Sequence, residues 1–130
     1  MRACDTNVVV RAVASDDPLQ SPVARRWFDD GGVFLSQTVL LETEWVLGTV
    51  MGWKRETVCI ALGALLRKTN VMVERGADAV WALQRHAGGA DFADMLHLAA
   101  AREMSAFATF DRAVAMGAGT HSPVVIETLR

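Results

Sequence analysis

Residues 1–13, MRACDTNVVVRAV, decide how the rest of the chain is read. Arg2 to Cys4 reads as a short strand, and Thr6 to about Val13 has helical character. Asp5 stands between them, wedged between Cys4 and the run Val8-Val9-Val10. Strand formation asks for no acid there. Asp5 either caps the following helix, with Thr6 helping, or belongs to a set of carboxylates gathered into a metal site.

The same alternation continues outward from this stretch. Asp17-Pro18 reads as an N-cap with proline at the first helical position, opening a helix that runs to Phe28. Asp29-Asp30-Gly31-Gly32 stops it, and Val33 to Ser36 reads as a buried strand. A long helix is expected from Thr38 through Val50, ended by Gly52. Its apolar residues wrap most of the circumference, which predicts deep burial on every side. A helix from Lys54 to Lys68, a strand at Val71–Val73 and a helix over Ala77–Ala87 follow. Gly88-Gly89 breaks the pattern before a helix from Asp91 to Glu103. A strand at Ala106–Phe110, a short helix from Asp111 and a last strand at Val124–Ile126 complete the chain. Strands that alternate with helices predict a mostly parallel sheet flanked by helices.

The 130 residues suit one domain, 1–130, with a core large enough to need no staples. Apolar residues make up 52% and charged residues 22%, an ordinary globular balance. Mean hydropathy of +0.22 hints at a face covered by a partner or a second copy. Cys4 and Cys59 make no disulfide framework and read as core thiols of a reducing cytosol. No signal-like segment opens the sequence and no apolar run is long enough to span a bilayer. A soluble, cytoplasmic protein is expected. The net charge of −2 argues against a protein that coats nucleic acid generally, though not against a nuclease. The basic pairs Arg25-Arg26, Lys54-Arg55 and Arg67-Lys68 could form a rim for nucleic acid or merely a solvated helix face.

Ligands of open parallel sheets bind beyond the carboxyl ends of the strands, and Asp5 and Asp111 both stand at such ends. Asp111 reads equally as the N-cap of its helix. In GADFADMLHLAAA, Asp91 and Asp94 lie three apart on one helix face. Asp91 is explained as an N-cap. Asp94 is not, because its helical neighbours turn inward and offer it no nearby cation. Glu42 and Glu44 both sit inside VLLETEWVL, and periodicity alone leaves open which of them points into the domain. Carboxylates brought together repel; two charges 4 Å apart cost about 4 kcal/mol at an effective dielectric near 20. They take up protons or are held by a cation. Oxygen-only ligands favour Mg²⁺, or Mn²⁺ in its place, over zinc. His86, His97 and His121 are scattered, and no Cys/His cluster competes.

CDTNVVVRAV, LLETEWVL, DFADMLHLAAA and ATFDRAVA, in this order, resemble the PIN-domain family, in particular the VapC-type toxins of bacterial toxin–antitoxin pairs. The resemblance covers nearly the full length. It implies a three-layer α/β/α sandwich and a Mg²⁺-dependent endoribonuclease that cleaves RNA through a metal-activated water. It implies inhibition by a small cognate antitoxin. By position, Asp5, Glu42, Asp94 and Asp111 correspond to the family's four acidic residues, and Glu42 is preferred to Glu44. Thr6, Asn7, Asp91 and Thr109 are the supporting positions. The apolar helices from Thr38 to Leu66, including Trp45, Trp53 and Leu62, are expected to supply an antitoxin groove and a homodimer contact. Two rivals are a haloacid-dehalogenase-like phosphatase, which needs an acid where Asn7 stands, and a non-catalytic PIN domain that only binds a partner.

Overall fold

A computed structural model describes all of residues 1–130, which divide into two compact units, Met1–Gly76 and Ala77–Arg130. The first unit is built on a parallel sheet of three short strands: β1 (Arg2–Ala3), β2 (Val33–Leu35) and β3 (Val71–Val73), in the order β1-β2-β3. Arg2 pairs with Val33, and Val33 in turn with Val71. Parallel neighbours require long crossovers. Here α1 (Thr6–Ala14) and α2 (Gln20–Asp29) link β1 to β2, while α3 (Gln37–Trp45) and α4 (Arg55–Leu66) link β2 to β3. Val33 and Leu35 are wholly buried with Phe34 half-buried between them, the alternation of a covered strand. Val9, Val10, Phe28, Leu40, Leu47, Val58 and Leu62 complete this core.

Asp17 works as the sequence suggests, although regular helix begins only at Gln20. Its Oδ1 accepts from Leu19 N at 2.8 Å and Gln20 N at 2.7 Å. The helix expected from Thr38 to Val50 is two structures. Regular α3 ends at Trp45 and a π-helical turn covers Val46–Val50, closed by Met51 N donating to Val46 O at 2.9 Å. Its expected deep burial is corrected. Leu40, Thr43 and Leu47 are buried, whereas Trp45 and Val50 are 53% and 62% exposed. Helix α1 packs against this segment and covers only part of its circumference, so part of its apolar surface stays open.

In the second unit, α5 (Gly76–Ala87) leads to α6 (Phe92–Ala100), then β4 (Phe107–Thr109), α7 (Arg112–Ala118) and β5 (Ile126–Thr128). β4 and β5 pair in parallel, Phe107 against Ile126. Phe92, Met95, Leu98, Ala79, Ala82 and Ala118 form the core. Two boundaries differ from expectation. Helix α6 stops at Ala100 because the following amides turn back onto carbonyls three residues earlier, Arg102 N to Ala99 O and Met104 N to Ala101 O. The last strand starts two residues late. Pro123 has no amide hydrogen to give, and Ser122 Oγ occupies both the amide and the carbonyl of Val124.

These parallel α/β elements are those of a PIN-like three-layer α/β/α fold. No helix is long and apolar enough to cross a membrane.

Candidate active site

At the carboxyl edge of the three-stranded sheet, β1 ends just before Asp5. This exposed aspartate is the N-cap of α1, its side chain accepting from Val8 N at 3.2 Å. Capping and site membership are compatible, since one hydrogen bond leaves most of the acceptor capacity of a carboxylate open. Thr6 is buried at 8% exposure and donates its hydroxyl to Glu42 Oε1. That bond ties the first residue of α1 to the middle of α3 and places Glu42 beside Asp5, both lining one cleft with the exposed Asn7.

Glu42 is held by the way α3 is anchored. Ser36 caps the helix, accepting from Val39 N at 3.2 Å. Gln37 is pinned to the end of β3: its amide N donates to Glu74 Oε1 at 2.9 Å and its side chain donates to Glu74 O at 3.2 Å. Arg75 donates to Gln37 Oε1 at 3.1 Å. Glu44, two residues along, lies toward α4, where its charge acts on the Cys59 thiol. The two glutamates are thus distinguished by geometry: Glu42 keeps company with Asp5 and Thr6, and Glu44 does not.

The second unit carries its own acids. Asp91 caps α6 by accepting from Asp94 N at 2.9 Å. Asp111, the residue after Phe110 beyond β4, caps α7 by accepting from Ala113 N at 2.8 Å, and its own amide donates to Thr109 Oγ1 at 3.0 Å. Asp94 is half-buried with no cap to serve. Burial, above all, lifts its carboxyl above the ordinary range; the charges of Asp91 and Asp111 add to this, with His97 opposing. A hard cation would relieve such a like-charge group.

No ion pair neutralises Asp5, Glu42, Asp94 or Asp111. The donors in both units are carboxylate and hydroxyl oxygens, the chemistry that Mg²⁺ or Mn²⁺ prefers. Neither unit alone gathers three or more His, Cys, Asp or Glu side chains at metal-holding spacing. Burial pushes the Cys4 and Cys59 thiols up, with Asp5 adding to the effect at Cys4.

The family model described as PIN domain matches residues 3–116. The chain belongs to the PIN-domain family. PIN domains are generally metal-dependent nucleases, which makes this a nuclease-type domain at the coarse level. The match takes in the stretches around Asp5, Glu42, Asp94 and Asp111 alike. No curated protein and no solved structure matches the chain significantly.

Two features of this PIN domain escape sequence reasoning. One is the Gln37–Glu74–Arg75 clasp that orients α3, whose partners lie 37 and 38 residues apart. The other is Arg11, which donates through Nε to Gln20 and through Nη1 to both oxygens of Asp16. The five-residue spacing of Arg11 and Asp16 is a visible signal only once the turn between α1 and α2 is known. One expectation is corrected outright. Leu62 has no exposed surface and forms core, so it lines no groove.

Proposed function

We propose that this PIN domain is a Mg²⁺-dependent endoribonuclease acting as the toxin of a toxin–antitoxin pair, with residues 1–130 working as one domain. The observation that carries the reading is the Asp5–Thr6–Glu42 arrangement: two exposed, unneutralised carboxylates beside a buried hydroxyl at the carboxyl edge of a parallel sheet. Asp94 and Asp111 complete the proposed acidic set, and Mn²⁺ is the natural substitute ion. A bound divalent cation supplies Lewis-acid polarisation of the phosphate and lowers the pKa of water.

The chain's own residues then have separable tasks. Asp5 and Glu42 present carboxylate oxygens to the cation. Thr6 Oγ1 fixes the Glu42 rotamer through Oε1, leaving Oε2 free. Asp94, half-buried and close to the charges of Asp91 and Asp111, is the carboxylate whose charge a bound cation would relieve most. Asn7, Asp91 and Thr109 hold positions beside these acids. The phosphatase alternative loses its basis with the family match and with Asn7 where that chemistry needs an acid.

Trp45, more than half exposed on α3, is the proposed anchor for the antitoxin, and the same face is the proposed homodimer contact. Two measurements test the proposal. Calorimetric titration with Mg²⁺ should show binding to the wild type and loss of it in Glu42→Gln; equal binding by both removes Glu42 from the site. The product of a small reading frame next to the gene should bind the protein and suppress RNA cleavage, and its failure to do either refutes the toxin role.

A further inference from the structure

Beside the Asp5–Glu42 pair the first unit opens a cleft of about 430 Å³, within the usual range for small-ligand sites. The acids occupy one part of its lining. Val46, Val50 and Met51 make an apolar wall, supplied by the π-helical turn and the residue after it. Arg11, in the last turn of α1, is the cation of the cleft. Its guanidinium is already fixed, by Gln20 Oε1 at 2.9 Å and by Asp16 at 2.9 and 3.1 Å. Those bonds use Nε and Nη1, and Nη2 has no hydrogen-bond partner within the protein. A planar donor group held in place with one edge free suits a phosphate oxygen.

We propose that this cleft is the subsite for the nucleotide adjoining the cleaved linkage of a single-stranded RNA, with Arg11 Nη2 donating to the flanking phosphate and Val46, Val50 and Met51 packing against the nucleoside. The inference rests on the nuclease reading and adds to it a place where one nucleotide of the substrate is held. An acid pair, an apolar wall and a fixed cation in one cleft match the phosphate–nucleoside–phosphate repeat of a polynucleotide. A peptide ligand has no reason to require a fixed cation and an acid pair in the same cleft. Asp16 has a defined part as well. It immobilises Arg11 but also offsets its charge, so removing the Asp16 charge should strengthen phosphate binding.

The test uses the full chain made inactive by Asp5→Asn, with a fluorescently labelled single-stranded RNA of mixed sequence and the DNA of the same sequence, titrated across a range of salt. In that background Arg11→Met should weaken RNA binding on the order of tenfold. It should also reduce the slope of log affinity against log salt by about 0.7, the value of one lost phosphate contact on a single strand. Val50→Ala with Met51→Ala should weaken binding while leaving the slope unchanged, and Asp16→Asn should tighten it severalfold. An unchanged slope in Arg11→Met, with only its thermal midpoint lowered, would show that Arg11 merely braces α1 against α2 and would overturn the subsite. Preference for the DNA over the RNA would overturn it as a ribonucleotide site. Full cleavage by the Asp5→Asn protein would instead refute the nuclease assignment of Asp5, a separate failure.

Discussion

Replacing Asp5 separates two roles that the structure assigns to one side chain. As the N-cap of α1 it satisfies Val8 N through a single exposed bond of 3.2 Å. Loss of such a cap to alanine costs about 0.5–2 kcal/mol, and a lone, solvent-exposed bond belongs near the lower end. For a chain of this size about 1 kcal/mol lowers the thermal midpoint by roughly 3–5 °C. Asparagine caps as well as aspartate, because its side-chain oxygen still accepts from the amide. Asp5→Asn should therefore melt within about 1 °C of the wild type, while Asp5→Ala melts about 2 °C lower. Both should lose RNA cleavage by on the order of a hundredfold or more, as when a preorganised charge-stabilising group is removed. Circular dichroism melts and a labelled-RNA cleavage assay on the same preparations give both readouts. Equal midpoints for the two variants would refute the capping role, and cleavage by Asp5→Asn at the wild-type rate would refute the catalytic one.

Three further outcomes follow from the packing and the charges. Asp94 has its folded pKa raised, so its contribution to stability is present below the unfolded carboxylate pKa and lost as pH rises through the folded value. Asp94→Asn should accordingly raise the thermal midpoint at neutral pH and give no gain in acid; a gain that persists in acid would contradict the charge origin. Added Mg²⁺ should raise the midpoint of the wild type more than that of Asp94→Asn, and identical shifts would exclude Asp94 as a ligand. Gly117 lies in α7, where a built Cβ would come 2.8 Å from Ala90 Cβ and 3.2 Å from Met95 Cε. Gly117→Ala should cost about 1–3 kcal/mol in denaturant titration despite its helix propensity gain of about 1 kcal/mol, and a stabilised variant would show that the contact yields.

Much of this was legible in the sequence because it depends on near neighbours. The caps at Asp91 and Asp111 follow from an acid placed just before a periodic apolar run, and both are where that pattern puts them. Strand β3 at Val71–Val73 is bounded by turn signals on both sides. What sequence could not show depends on partners far along the chain. Choosing Glu42 over Glu44 by geometry needs α1 to lie against α3, so that Thr6 can reach across 36 residues. The exposure of Trp45 and Val50 likewise depends on which side of α3 and the following turn α1 covers, and an all-round apolar pattern carries no such direction. The π-helical turn had only Gly48 and Thr49, weak helix formers, to announce it.

One assay decides the proposed divalent-metal ribonuclease activity and the part each proposed carboxylate has in it. Cleavage of single-stranded RNA by the purified protein is followed in Mg²⁺ and in excess chelator, beside Glu42→Gln from the first unit and Asp94→Asn from the second. The wild type should cleave in Mg²⁺ and not in chelator, and each variant should lose cleavage. Cleavage that survives the chelator, or that both variants retain at the wild-type rate, would contradict a metal-dependent ribonuclease built on these acids.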